Sequence, residues 1–204
     1  FNDDKAIYDK LDIANTTGQL SREVLVGAHA TALVVNRYDL RSVVDDKLYQ
    51  MSGVSFTGQA KVCEGEDAFL DQYRYGRCSS VLVGPKQVLT AAHCIQNAQL
   101  ACDRKSFVFD ARSDLGGANK NQYFVKSQVY NCSKIISYHQ SRDKTFDYAL
   151  IELDRNVTGN RAPVEMTENE RYFAFRIFYE GSGNSTFSLT TFFDKYTEEI
   201  RGWK

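Results

Sequence analysis

From Cys78 onward the chain runs as short apolar segments cut by turn residues. Ser80-Val81-Leu82-Val83 precedes Gly84-Pro85, and Gln87-Val88-Leu89-Thr90 follows it, which predicts two short strands around a turn. Further strands are predicted at 107–109, 123–130, 134–137 and 148–153. Strands this short and this closely spaced describe a β-barrel or sandwich. Near the end, 173–179 predicts another strand, Gly181-Ser182-Gly183-Asn184 a turn, and 186–190 a strand that can pair back. Residues 194–201 have helical composition, with Tyr196 and Ile200 one turn apart. The first fifty residues open polar and acidic, and their apolar stretch, 24–35, is expected to dock on the body as a strand or short helix.

Composition supports an all-β chain. Thirteen Phe and twelve Tyr beside thirteen Gly suit pleated, half-buried surfaces better than helix bundles. A net charge of -1, from 25 basic and 26 acidic side chains, gives no long-range field to draw in nucleic acid or an anionic membrane. The 24–35 stretch contains His29 and is shorter than the about 20 apolar residues of a spanning helix, so no membrane role is expected. The sequence starts at Phe1 with neither Met nor an apolar leader, so a signal peptide is expected to have been removed. There is no internal repeat, and with only Pro85 and Pro163 no linker stands out, so domain boundaries must come from motifs. The five cysteines, Cys63, Cys78, Cys94, Cys102 and Cys132, lack the paired short spacings of a zinc ribbon. Disulfides in an oxidising compartment account for them better, which points to a secreted or periplasmic protein, with one thiol left over.

Two segments carry chemistry. Cys78-Ser79-Ser80-Val81-Leu82-Val83-Gly84-Pro85-Lys86-Gln87-Val88-Leu89-Thr90-Ala91-Ala92-His93-Cys94 closely resembles the histidine segment of trypsin-like (chymotrypsin-fold) serine proteases, with Ser80 where that family usually has glycine. Thr145-Phe146-Asp147-Tyr148-Ala149-Leu150-Ile151-Glu152-Leu153 resembles the family's aspartate segment, and Asp147 follows His93 by 54 residues, a separation typical of the family's first barrel. The resemblance implies a disulfide from Cys78 to Cys94. It also implies His93 as general base and Asp147 as the carboxylate that fixes its tautomer. Asp143, the rival carboxylate, lacks a following apolar strand that would bury it. Cys102 and Cys132 lie in the same barrel and are expected to pair, leaving Cys63 alone. The stretch 62–72, the Asn2-Asp3-Asp4-Lys5 opening and Phe107-Val108-Phe109-Asp110 are similar to secreted bacterial members. Sequons at Asn15, Asn131, Asn156 and Asn184 would matter only in a eukaryotic secretory path.

The nucleophile is missing from this pattern. The family sets its serine in Gly-Asp-Ser-Gly or Gly-Asn-Ser-Gly, and neither tetrapeptide occurs; Ser182 and Ser185 lie nearby in composition but outside that context. Residues 173–200 instead resemble the family's last strands and carboxy-terminal helix, with Lys195-Tyr196 opening the latter. The 57 residues after Asp147 are too few for a second six-stranded barrel. The implied fold is therefore a chymotrypsin-like double β-barrel with a C-terminal helix and an incomplete second barrel. The expected parts are an N-terminal extension or pro-segment at 1–50, a first barrel at 51–166 and a remnant of the second at 167–204, with a segment omitted between about 166 and 173. The implied activity is peptide-bond hydrolysis through an acyl-enzyme in a zymogen-like form, acting on protein or peptide substrates without metal or organic cofactor. A pseudoprotease serving as a binding or scaffold module is the alternative, and a zinc site from His93, Cys94, Cys102, Cys132 and His139 a distant third.

Overall fold

The computed structural model describes residues 22–55, 73–76, 78–95, 102–111, 121–141 and 146–164. After a short helix, α1 (Arg22–His29), come β1 (Thr31–Asn36), β2 (Leu40–Val44), β3 (Leu48–Ser52), β4 (Val54–Ser55) and β5 (Tyr73–Arg74). Then follow β6 (Cys78–Gly84), β7 (Gln87–Thr90), β8 (Lys105–Phe109), β9 (Asn121–Val125), β10 (Val129–Gln140) and β11 (Asp147–Leu153). Six of these strands close into an antiparallel barrel in the order β1-β6-β7-β11-β10-β8. A three-stranded sheet, β2-β3-β9, and a small β4-β5 pair complete the set. The described residues are all-β apart from α1 and short 3-10 turns, and none of their helices is long and apolar enough to cross a membrane.

Two apolar clusters explain this arrangement. One fills the barrel with Leu82, Val88, Ile95, Phe107, Phe109, Tyr130, Ile151 and Leu153. The other, built on Leu33, Val35, Met51, Val108, Phe124 and Val129, seals the barrel wall against the three-stranded sheet. Because successive side chains of a strand point to opposite faces, a strand shared by both clusters must present apolar side chains on both of its faces. β1 meets that demand: Ala32 and Val34 face the barrel, while Leu33 and Val35 face the second cluster. β8 does the same with Phe107 and Phe109 on one side and Val108 on the other.

This placement changes the reading of the amino-terminal part. The apolar stretch 24–35 is not one docked element; it breaks after His29, and its second half is a wall strand of the barrel. The 1–50 extension expected from the sequence therefore supplies β1, since the barrel cannot close without a strand between β6 and β8. The strand expected at 123–130 is likewise two strands in two different sheets. A 3-10 turn, Lys126–Gln128, separates them, and the Lys126 amide donates to the Lys47 carbonyl (3.0 Å), anchoring the crossover. The expected strands at 173–179 and 186–190, the helix at 194–201, the 166–173 junction, Cys63, Asp143, Ser182 and Ser185 lie outside the described residues.

Two turns show local constraint. Asp45 and Asp46, between β2 and β3, both have positive φ (37° and 56°), the conformation of a tight hairpin turn, and Asp tolerates it better than most side chains. Gly76, with φ 68°, lets the chain enter β6 where a Cβ would come within 3.1 Å of the Val34 carbonyl oxygen.

Leu82 is fully buried at the centre of the barrel cluster. Leu82→Ala is expected to lower unfolding stability by about 2–5 kcal/mol. In urea titration this would appear as an earlier midpoint with an unchanged slope.

Candidate active site

The ladder between β7 and β11 places the candidate residues. Thr90 pairs with Ala149, Leu89 with Leu150 and Val88 with Ile151, so the carboxyl end of β7 and the amino end of β11 reach the same rim of the barrel. Asp147 stands two residues before Ala149, on the same face, which turns its carboxylate toward that rim. Beyond Thr90, the chain passes Ala91 and coils into a 3-10 turn, Ala92–Ile95, which carries His93 back over the end of β11. Ala92 and Ile95 are fully buried, and the Cys94 amide donates to the Ala91 carbonyl (3.1 Å), so the turn is fixed from beneath.

The two residues meet twice. The His93 backbone N–H donates to Asp147 Oδ1 at 2.9 Å, and the ring Nδ1 lies 2.5 Å from Oδ2. With Nδ1–H as donor, the imidazole is held in one orientation and Nε2 keeps its lone pair for another proton. The histidine side chain is 56% exposed, so the ring is open to solvent at the rim. Asp147, expected to be buried, is 36% exposed, because it opens its strand at the rim rather than inside the apolar cluster.

A disulfide closes this corner. Ser80 pairs with Thr90 across β6 and β7, and the Thr90 hydroxyl donates to the Ser79 carbonyl at 2.7 Å. That brings the start of β6 beside the 3-10 turn, where Cys78 and Cys94 are bonded. Cys102 and Cys132 form a second disulfide, spanning the approach to β8 and the wall strand β10. With Cys94, Cys102 and Cys132 all in disulfides, the zinc set considered from the sequence does not assemble: their sulfurs are not free donors.

Sequence reasoning missed two features around the site. Opposite Asp147 in the β10–β11 ladder stands Gln140, and the neighbouring His139 stacks on Tyr148 (5.0 Å between ring centres) with Phe146 tilted against it. Of these, only Tyr148 fell within a strand expected from the sequence, and the meeting of the three rings depends on a register that two irregularities in β10 set. The second feature is a polar hub at the opposite end of β1. Asp110, at φ 53°, accepts from both Nε and Nη2 of Arg161 and contacts His29 Nδ1 at 3.1 Å. Arg161 also donates to the carbonyls of Ser127 and Thr158, so the hub ties α1, the end of β8 and the segment after β11 together. His29 and Asp110 thus form a second histidine–carboxylate contact, but here the guanidinium already compensates the carboxylate.

The trypsin family profile matches residues 56–192, and the chain belongs to the trypsin family. One solved structure that it resembles is the VesB protease of Vibrio cholerae, at 16% identity and a TM-score of 0.37, covering 68% of this chain. The chain spans 30% of the length of that protein. No curated protein matches the chain.

Sixteen positions separate Cys78 from Cys94. For a loop of that size, the Cys78→Ala, Cys94→Ala double variant is expected to lose about 3 kcal/mol, seen as a lower midpoint in thermal unfolding.

Proposed function

We propose that the chain carries the histidine and aspartate of a serine endopeptidase, with His93 as general base and acid and Asp147 as its positioning partner. The observation that carries this reading is the double contact of Asp147 with His93, through the backbone amide and through Nδ1. A carboxylate so placed keeps the proton on Nδ1 and stabilises the imidazolium that forms when Nε2 takes a proton. Nε2 would remove the proton from a serine hydroxyl as it attacks the peptide carbonyl, then return it to the departing amine. Water would repeat the cycle on the acyl-enzyme. The substrates are proteins or peptides, and the chemistry needs no metal or organic cofactor.

The serine itself has no candidate in a Gly-Asp-Ser-Gly context in these 204 residues, so the proposal places it in polypeptide outside them, beyond the first barrel. Two disulfides support an oxidising compartment, hence secretion or the periplasm. A zymogen-like form, ordered fully only after cleavage, is the regulatory part of the same reading. A pseudoprotease is favoured by one observation, the missing nucleophile motif.

A fluorophosphonate probe separates the readings, applied to the protein produced from its complete gene. The peptidase reading expects covalent labelling of a serine, abolished in His93→Ala; labelling only after limited trypsin treatment would identify the zymogen-like form. No labelling before or after such treatment would establish the pseudoprotease. In the labelled enzyme, Asp147→Asn is expected to lower kcat by about 10⁴-fold, the size of that change in Ser-His-Asp enzymes generally.

A further inference from the structure

The disulfide beside His93 is more than a brace. The sulfurs of Cys78 and Cys94 and a ring nitrogen of His93 all lie within 4.8 Å of one another. Among the described residues this is the one cluster of three or more potential metal-ligating side chains. Cystine sulfur is a poor ligand, so the set is silent in the oxidised chain; two thiolates and an imidazole are the donors that soft and borderline cations prefer. In a tetrahedral zinc site with Zn–S near 2.3 Å and Zn–N near 2.0 Å, neighbouring donor atoms stand roughly 3.5–3.8 Å apart. Once the sulfur–sulfur bond is cut, the three atoms need only small movements to reach that spacing.

We propose that the reduced chain binds one Zn²⁺ or similar cation through Cys78, Cys94 and His93, and that oxidation of the two cysteines expels it. The surroundings suit such a site. Cys94 is 9% exposed and Cys78 is partly buried, which holds the thiolates in place. The His93 side chain is 56% exposed, which leaves a fourth position open to water. The Cys102–Cys132 pair has no third ligand within equal reach among the described residues, so it is the weaker binder.

The chemistry balances at both steps. A thiol reductant gives two electrons and two protons to the disulfide, yielding two cysteine thiols and the oxidised reductant. Binding of the cation then releases two protons as the thiols become thiolates. In the reverse direction a small-molecule disulfide takes two electrons from the two thiolates; the Cys78–Cys94 bond forms, the cation leaves, and two small thiolates are released. While the cation is bound, His93 is a ligand and cannot carry protons. A chain made in a reducing compartment would thus be chemically inert until its clamp is oxidised. The metal site stands independently of the peptidase reading, because it uses only the placement of three side chains.

The test uses the full chain, reduced under inert gas with a phosphine and titrated with Cd²⁺ and Zn²⁺, with Mg²⁺ as control. Native mass spectrometry counts the ions, and the thiolate-to-cadmium absorption band reports the ligands. The expected result is one tightly held ion in the reduced chain and none in the oxidised one. His93→Ala is expected to weaken binding by more than the about 10–100-fold that loss of an outer-shell partner costs. The Cys78→Ser, Cys94→Ser variant is expected to lose the tight site, and Cys102→Ser, Cys132→Ser to retain it. If reduction unfolds the chain, recovery of its β-sheet circular dichroism on adding Zn²⁺ supports the site. A reduced chain that stays unfolded with metal, binds no ion, or binds it equally well without His93 overturns the proposal.

Discussion

The register of β7 against β11 is the constraint on which the rest depends. Thr90 opposite Ala149 puts both strand ends at one rim. Side chains alternate along a strand, so a slip of one residue would turn Asp147 to the other face of the sheet and leave His93 without its partner. Burial fixes that register. Val88 and Ile151, paired in the ladder, are both fully inside the barrel cluster, and Leu153 continues the same face. Moving any of them outward would expose several large apolar side chains at once, each worth about 1.5–3 kcal/mol of burial. The apolar core thus sets the geometry of a polar contact at its edge.

The disulfide and the 3-10 turn complete what the ladder begins. A ladder alone brings Thr90 near Ala149 but leaves the following residues free to wander. Ala92 and Ile95 pack into the core beneath His93, and the Cys78–Cys94 bond ties the turn to the neighbouring strand. The same proximity puts two sulfurs within reach of the imidazole, so one arrangement both braces the histidine and offers it to a metal when the brace is open.

Much of this was legible in the sequence because its signals are local. The run from Cys78 to Cys94 spells out two strands, their turn and the histidine in one stretch, and Asp147 opens an alternating strand whose inward positions, Ala149, Ile151 and Leu153, are the ones found buried. What was not legible depends on partners distant in the chain. β1 reads as an ambiguous apolar stretch because it is buried on both faces and shows no alternation. The split between β9 and β10 was hidden because Lys126–Gln128 carries neither Gly nor Pro to punctuate it. The Asp110 hub joins residues 81 and 51 positions away, His29 and Arg161, and nothing in their local sequence announces that they meet.

The imidazole of His93 offers the most direct measurement. In ¹⁵N-labelled protein, NMR is expected to show its proton on Nδ1, strongly deshielded by the carboxylate, with Nε2 carrying the free lone pair. That proton resonance should vanish in Asp147→Ala. A ring with exchange-averaged tautomers, indifferent to removal of Asp147, would contradict the account.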